Sequence, residues 1–80
     1  MIAEKQTTVF NGVEYDSSHG SPFDRGLADS WYSRSQDPHF WPEGTGHGIR
    51  IEADEMSLTQ MAAYFRGYEY NEQFGGKKEW

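Results

Sequence analysis

Three histidines, His19, His39 and His47, stand among thirteen acidic residues in a chain of 80. Such a set could supply metal ligands or general acid–base groups. The spacing does not organise it: no two histidines stand four apart on a helix, and no His-Glu-x-x-His run is present. His39 and His47 share a glycine-rich segment that could close on an ion, but the ligand set is incomplete for zinc. No metal and no other cofactor is expected, and His19 and His39 read as hydrogen-bonded within their own loops. The run from Glu43 to Gly48, EGTGHG, has a superficial likeness to a phosphate loop. It lacks the closing Gly-Lys-Ser/Thr and does not join a strand to a helix N-terminus. There is no cysteine, no serine in a nucleophile-elbow context, and no nucleophile–base–orienter set. No catalytic residue is assigned, and the chain reads as non-enzymatic.

The remaining polar candidates are charges on helices. Asp24, Arg25, Asp29 and Arg34 cluster on one segment. Arg25–Asp29 is an i, i+4 pair worth about 0.2–0.5 kcal/mol, which reads as a solvated face. Arg66 is expected to pair with Asp29 or Asp24 across two helices and so fix their register. Tyr64, Tyr68, Tyr70 and Trp80 could stack bases, but a net charge of -6 supplies no basic groove, which disfavours nucleic acid. Tyr64, Tyr68, Phe74 and Trp41 are expected instead to form a surface for a protein partner.

The elements that must position these groups are few. The longest is a helix from Ser57 to Gly75. Ser57 and Gln60 form a capping box, acidic residues precede it, and Gly75-Gly76 stop it with Lys77 and Lys78 at its negative end. Leu58, Met61, Ala62, Phe65 and Tyr68 make one apolar face, with Tyr64, Gly67, Asn71 and Phe74 as a second strip. A first helix spans Pro22–Arg34, capped by Ser21, with Phe23, Leu27 and Trp31 inward. Both helices carry an interior glycine, within the matched runs Phe23-Asp24-Arg25-Gly26 and Tyr64-Phe65-Arg66-Gly67. Gly26 and Gly67 are therefore placed where the two helices cross.

Upstream, Met1–Thr7 reads as a frayed leader. Asn11-Gly12 between two β-prone runs signals a hairpin over Thr8–Tyr15, with an irregular arm as the alternative. Ser35–Gly48 reads as an irregular loop pinned by Phe40 and Trp41, and Gly48–Glu52 as a short strand that could pair with the hairpin. Trp80 is expected to fold back onto the core. The sum is a single small α+β domain over residues 1–80, with an all-α helical hairpin as the runner-up.

A chain of this length buries only about 60% of its unfolded surface. Its aliphatic supply is two Val, three Ile and two Leu, at a mean hydropathy of -0.92. Aromatic burial must compensate, and a homodimer is expected to complete the core. No apolar run is long enough to span a bilayer, and the first residues do not read as a signal peptide, so the expected place is the cytoplasm.

The stretches HGSPFDRGLADSWYSR, DPHFWPEGTG and AAYFRGYEYNEQFGGKKEW resemble a group of short, uncharacterised bacteriophage proteins, especially marine ones. The likeness spans about residues 19–80 and rests on Asp24-Arg25-Gly26, Ala28-Asp29, Pro38-His39, Gly67-Tyr68 and Asn71-Glu72. It implies a small accessory protein with a phage or host protein as partner, and carries no site residues with it. A looser resemblance, through Arg66-Gly67-Tyr68, is to ribosome modulation factor. That family's strongly basic character is absent here, and a ribosome- or RNA-associated regulator stays an alternative.

Overall fold

The computed structural model describes residues 6–79. It is an α+β domain in which two short antiparallel strand pairs flank two crossed helices. The strand pairs decide against the all-α alternative.

β1 (Thr7–Phe10) and β2 (Val13–Asp16) form the hairpin, in the register Thr8↔Tyr15 and Phe10↔Val13. Asn11 and Gly12 have φ of 52° and 78°, the pair of left-handed residues that a tight turn matching the strand twist requires. The hairpin begins earlier than expected: Thr7 is paired with Asp16, and the Gln6 carbonyl accepts from the Ser17 amide at 3.0 Å. Gln6 and Thr7 therefore belong to the fold and not to a leader. Residues 1–5 and Trp80, with the expectations made for them, lie outside the described residues.

α1 (Pro22–Trp31) starts as expected, Ser21 Oγ accepting from the Asp24 amide with Pro22 in the first turn. It ends three residues earlier than Arg34. Ser33 takes a φ of 59°, the Arg34 amide donates to Asp29 O at 2.8 Å, and the Ser33 amide to Ser30 O at 3.0 Å. This is the hydrogen-bond pattern that glycine usually closes. With serine in the left-handed position, the sequence carried no stop signal. The inward face is also shifted. Phe23, Gly26, Asp29 and Ser30 are buried, while Leu27 is half-buried and Trp31 exposed.

β3 (His39–Phe40) and β4 (Ile51–Glu52) pair with each other, in the register His39↔Glu52, and not with the hairpin. The prolines and glycines of the loop fall on either side of this two-residue strand, which is how it escapes their veto. Trp41 then docks its amide on Gly20 O at 2.7 Å. Gly20, with φ 91°, permits this, since a Cβ there would stand 2.8 Å from Gly44 Cα.

α2 (Leu58–Tyr70) has the expected capping box, Ser57 with Gln60. The buried strip is the second one: Tyr64, Gly67 and Asn71 are buried, whereas Leu58 is 88% exposed and Ala62 is exposed. From Asn71 to Gly75 the helix widens into a single π turn. Gly75 has no room for a side chain, because a Cβ would lie against the Asn71 amide, and Gly76 makes the positive-φ exit at 110°. Lys77 and Lys78 tie this end to α1 as well: Lys77 Nζ donates to Ser30 O at 3.0 Å and the Lys78 amide to Trp31 O at 2.7 Å, while Lys77 also pairs with Glu72.

The core is aromatic. Phe23 is fully buried, stacked on Tyr15 at 5.1 Å and tilted against Tyr70 at 5.7 Å. Phe10 meets the rings of Tyr70 and Phe74 edge-on at 5.5 and 6.1 Å. Such pairs add about 0.5–1.5 kcal/mol beyond area burial, a material contribution where aliphatics are scarce.

Candidate functional site

The helix crossing sets the geometry. A Cβ on Gly26 would lie 2.9 Å from both Tyr64 C and the Tyr68 amide nitrogen, and closer still to Tyr64 O. One on Gly67 would lie 2.8 Å from Phe23 C and closer to Phe23 O. Backbone therefore rests on backbone, and the residues flanking the crossing are forced together.

Asp29, three residues beyond Gly26, is thereby brought over Tyr64. The phenol donates to Asp29 Oδ2 at 2.5 Å and accepts from the Asp37 amide at 2.9 Å. Burial, reinforced by the bond to the Asp29 carboxylate, pushes the Tyr64 pKa far above its ordinary value. Asp29 is 3% exposed, and its other oxygen stands 3.5 Å from Arg34 Nη1. His39, also buried, puts Nδ1 2.6 Å from Asp37 O. A carbonyl can only accept, so Nδ1 carries the proton and Nε2 presents its lone pair to Arg25 Nε at 3.4 Å.

These groups open onto a cleft of about 520 Å³, lined by Arg25, Asp29, Arg34, Asp37, His39, Trp41, Thr45, Gly46 and Arg50 among others. Three of the chain's four arginines line this one space. Arg50 is held by Asp37 at 2.6 Å and Glu52 at 3.1 Å. Burial works against its charge, but the hydrogen bond and charge of Asp37, then Glu52, outweigh it, and its pKa is raised. A second hollow of about 420 Å³ lies between the hairpin, the start of both helices and Phe40, with His19 on its wall.

Several sequence expectations are corrected. Arg25 and Asp29 do not form a solvated face: Asp29 is buried and the Arg25 side chain is 11% exposed. Arg66 does not cross to Asp29 or Asp24; it lies exposed and pairs with Glu69 at 2.7 Å along its own helix. Tyr64 cannot belong to an interaction surface, being fully buried. The other three members do not share its role. Tyr68 is half-buried with its hydroxyl on Arg34 O at 2.6 Å, Trp41 lines the arginine cleft, and Phe74 is 66% exposed beside Phe10. Among the described residues no group of three His, Cys, Asp or Glu stands close enough to hold a metal ion.

A second polar knot, with Ser30 and Asn71 buried and Glu72 and Lys77 exposed, was not foreseen. Ser30 Oγ donates to Glu72 Oε2 at 2.5 Å and accepts from Asn71 Nδ2 at 2.9 Å and Lys77 Nζ at 3.1 Å. Lys77 also pairs with Glu72, and that contact, then the Ser30 hydroxyl, lowers the Glu72 pKa. Its only sequence sign was Asn71 standing seven residues after Tyr64 on one helical strip.

The fold and cleft thus define a small α+β domain with an arginine-rich polar hollow. Comparison with protein-family models, curated sequences and solved structures yields no significant match. No helix among the described residues is long and apolar enough to cross a membrane.

Proposed function

We propose that this chain is a small non-enzymatic accessory protein that works by protein–protein contact, and that it forms a homodimer through β1. The observation that carries this reading is the state of that strand. β1 is the edge of a two-stranded sheet, and the stretch from Gln6 to Val13 holds no charged residue in a chain that is 25% charged. Edge strands that stay single are ordinarily guarded by lysine, proline or inward-pointing charge. Here Val9 and Val13 are 62% and 49% exposed, and Phe74 stands exposed beside Phe10. A chain with two valines leaves both in water.

Pairing β1 with its copy across a two-fold axis turns a marginal two-stranded hairpin into a four-stranded sheet and covers Val9. The engagement of both His39 ring nitrogens, and of Asp29 by Tyr64, favours a binding role over a catalytic one. The bacteriophage resemblance puts further partners among phage or host proteins, and the working place in the cytoplasm of the infected cell. Light scattering at micromolar concentration tests the reading. A dimer that Val9→Lys returns to monomer is expected, and a parent chain already at 9.2 kDa overturns it.

A further inference from the structure

We propose that the cleft between α1 and the β3–β4 loop binds a small oxyanion, a phosphate or carboxylate group, on the Arg25 and Arg34 guanidiniums. Arg25 carries the argument. Its side chain is 11% exposed, yet among the described residues no carboxylate stands within hydrogen-bonding distance. The nearest is Asp24 Oδ2 at 3.9 Å, which already accepts from the Gly20 amide at 2.9 Å. The hydrogen bonds that Arg25 makes go to neutral acceptors, His39 Nε2 at 3.4 Å and Thr45 Oγ1 at 3.2 Å. A guanidinium offers five N–H donors, and a nearly buried one is ordinarily matched by an anion.

The protein does supply that match next door, where Arg50 has both Asp37 and Glu52. Arg34 is likewise underused, its Nη1 3.5 Å from Asp29 and its guanidinium 4.9 Å over the Tyr32 ring. Asp29 does not take that place, its oxygens standing against Tyr64 and Arg34. Three arginines and two aspartates line the cleft, with Asp24 and Glu52 as further acidic neighbours of Arg25 and Arg50, so what sets Arg25 apart is the distance to its carboxylate and not the local sum of charge.

The loop completes the cradle. Thr45 and Gly46, from the run that resembles a phosphate loop in sequence, line the same space. Gly46 has a φ of 80° and nothing within 4 Å of where a Cβ would point, so its backbone is open to an approaching ligand. A volume of about 520 Å³ is in the ordinary range for small-molecule sites. Two guanidiniums and a hydroxyl meet the several acceptor oxygens of one oxyanion, by the fork geometry that makes arginine the common choice for such groups.

The test is a titration of the intact, isotope-labelled chain with inorganic phosphate and, separately, with acetate, at constant ionic strength. Saturable shifts of the Arg25 and Arg34 side-chain N–H signals and of the Trp41 indole are expected. Saturation by phosphate alone names phosphate, and saturation by acetate as well extends the site to carboxylates. Arg25→Gln should weaken binding about tenfold or more, a difference of about 1.4 kcal/mol, and Arg66→Gln should leave it unchanged. If Arg25→Gln does not fold, Arg34→Gln decides, because that side chain is 57% exposed and outside the core. Shifts that never saturate, or equal binding by the Arg34 and Arg66 variants, overturn the proposal.

Discussion

Gly67→Ala is the sharpest probe of the crossing, because two effects oppose each other and the structure says which wins. In a helix interior, alanine is better than glycine by about 1 kcal/mol, so an uncrowded Gly67 would make the variant more stable. Here the added methyl meets Phe23 Cα at 3.0 Å and Phe23 C at 2.8 Å. These are backbone atoms of α1, and no rotamer change can move them aside. Relief requires the helices to separate, which would uncover Phe23 and stretch the Tyr64–Asp29 bond. Overpacking costs about 1–3 kcal/mol, and a backbone clash belongs at the upper end. After the propensity gain, a net loss of about 2 kcal/mol is expected. That is a large share of the roughly 3–5 kcal/mol available to a domain of this size. At about 4–8 °C per kcal/mol the melting temperature falls by about 8–16 °C. Gly67→Leu should not fold cooperatively. Thermal melts by circular dichroism read the sign directly, and a Gly67→Ala melting temperature equal to or above the parent's refutes the close approach.

Other expectations follow from the polar groups. Tyr64→Phe leaves buried Asp29 with Arg34 at 3.5 Å and His39 at 3.9 Å, and should cost about 1–3 kcal/mol in denaturant titrations. Because the folded pKa of Tyr64 is raised, its contribution is present below the ordinary value of 10.0 and lost as pH climbs through the folded one. An ultraviolet titration of the native protein should show one tyrosine resisting ionisation, and Tyr64→Phe should remove it. Glu72 has the opposite sign. Its lowered pKa gives stability that is present above the ordinary 4.5 and lost as pH falls through the folded value. Glu72→Gln should flatten that part of an acid melting series, and an unchanged acid slope would count against the Ser30–Lys77 contacts. Ser33→Gly should raise the melting temperature by a few degrees, since glycine removes the roughly 1 kcal/mol cost of a side chain at φ 59°.

What was legible in the sequence was whatever is decided locally. The Asn11-Gly12 turn, the Ser21-Pro22 start and the Ser57–Gln60 capping box are each fixed by a few neighbouring residues, and each stands where those residues put it. The end of α1 was overrun because serine occupies the position whose usual marker is glycine. The inward faces were misjudged for a different reason. Periodicity counts apolar side chains, but the closest helix contact is made by two glycines, which have none. Once backbone lies on backbone, the strip containing Gly67 is inward whatever its hydrophobicity. Leu58, the most apolar residue of α2, is left in water. The cleft was invisible because its parts come from α1, the turn after it and the 35–50 segment, and only the fold adds them together.

The matched runs Phe23–Gly26 and Tyr64–Gly67 explain both what the sequence offered and where it misled. Gly26 rests against the carbonyl of Tyr64, which precedes Gly67 by three residues. Gly67 rests against the carbonyl of Phe23, which precedes Gly26 by three. The crossing is therefore reciprocal, each helix offering an aromatic residue's carbonyl to the other's glycine, and the echo in sequence is the requirement of that contact. Reciprocity extends to the aromatic and the glycine but not to the arginine between them. Arg66 points to solvent and meets Glu69, while Arg25 is covered by the His39 strand and the Thr45 turn. The two arginines are equivalent in pattern and opposite in environment. The asymmetry is made by the loop joining the helices, which closes over one side of the crossing only. A shortened loop that kept both helices but removed residues 43–48 should therefore leave the glycine contact intact and expose Arg25 as Arg66 already is. Hydrogen exchange at Tyr64 and Gly67 with parent-like protection, alongside loss of the Arg25 side-chain shifts on phosphate addition, is the expected result. Loss of protection at the crossing itself would mean that the loop holds the helices together, and that the glycines do not suffice.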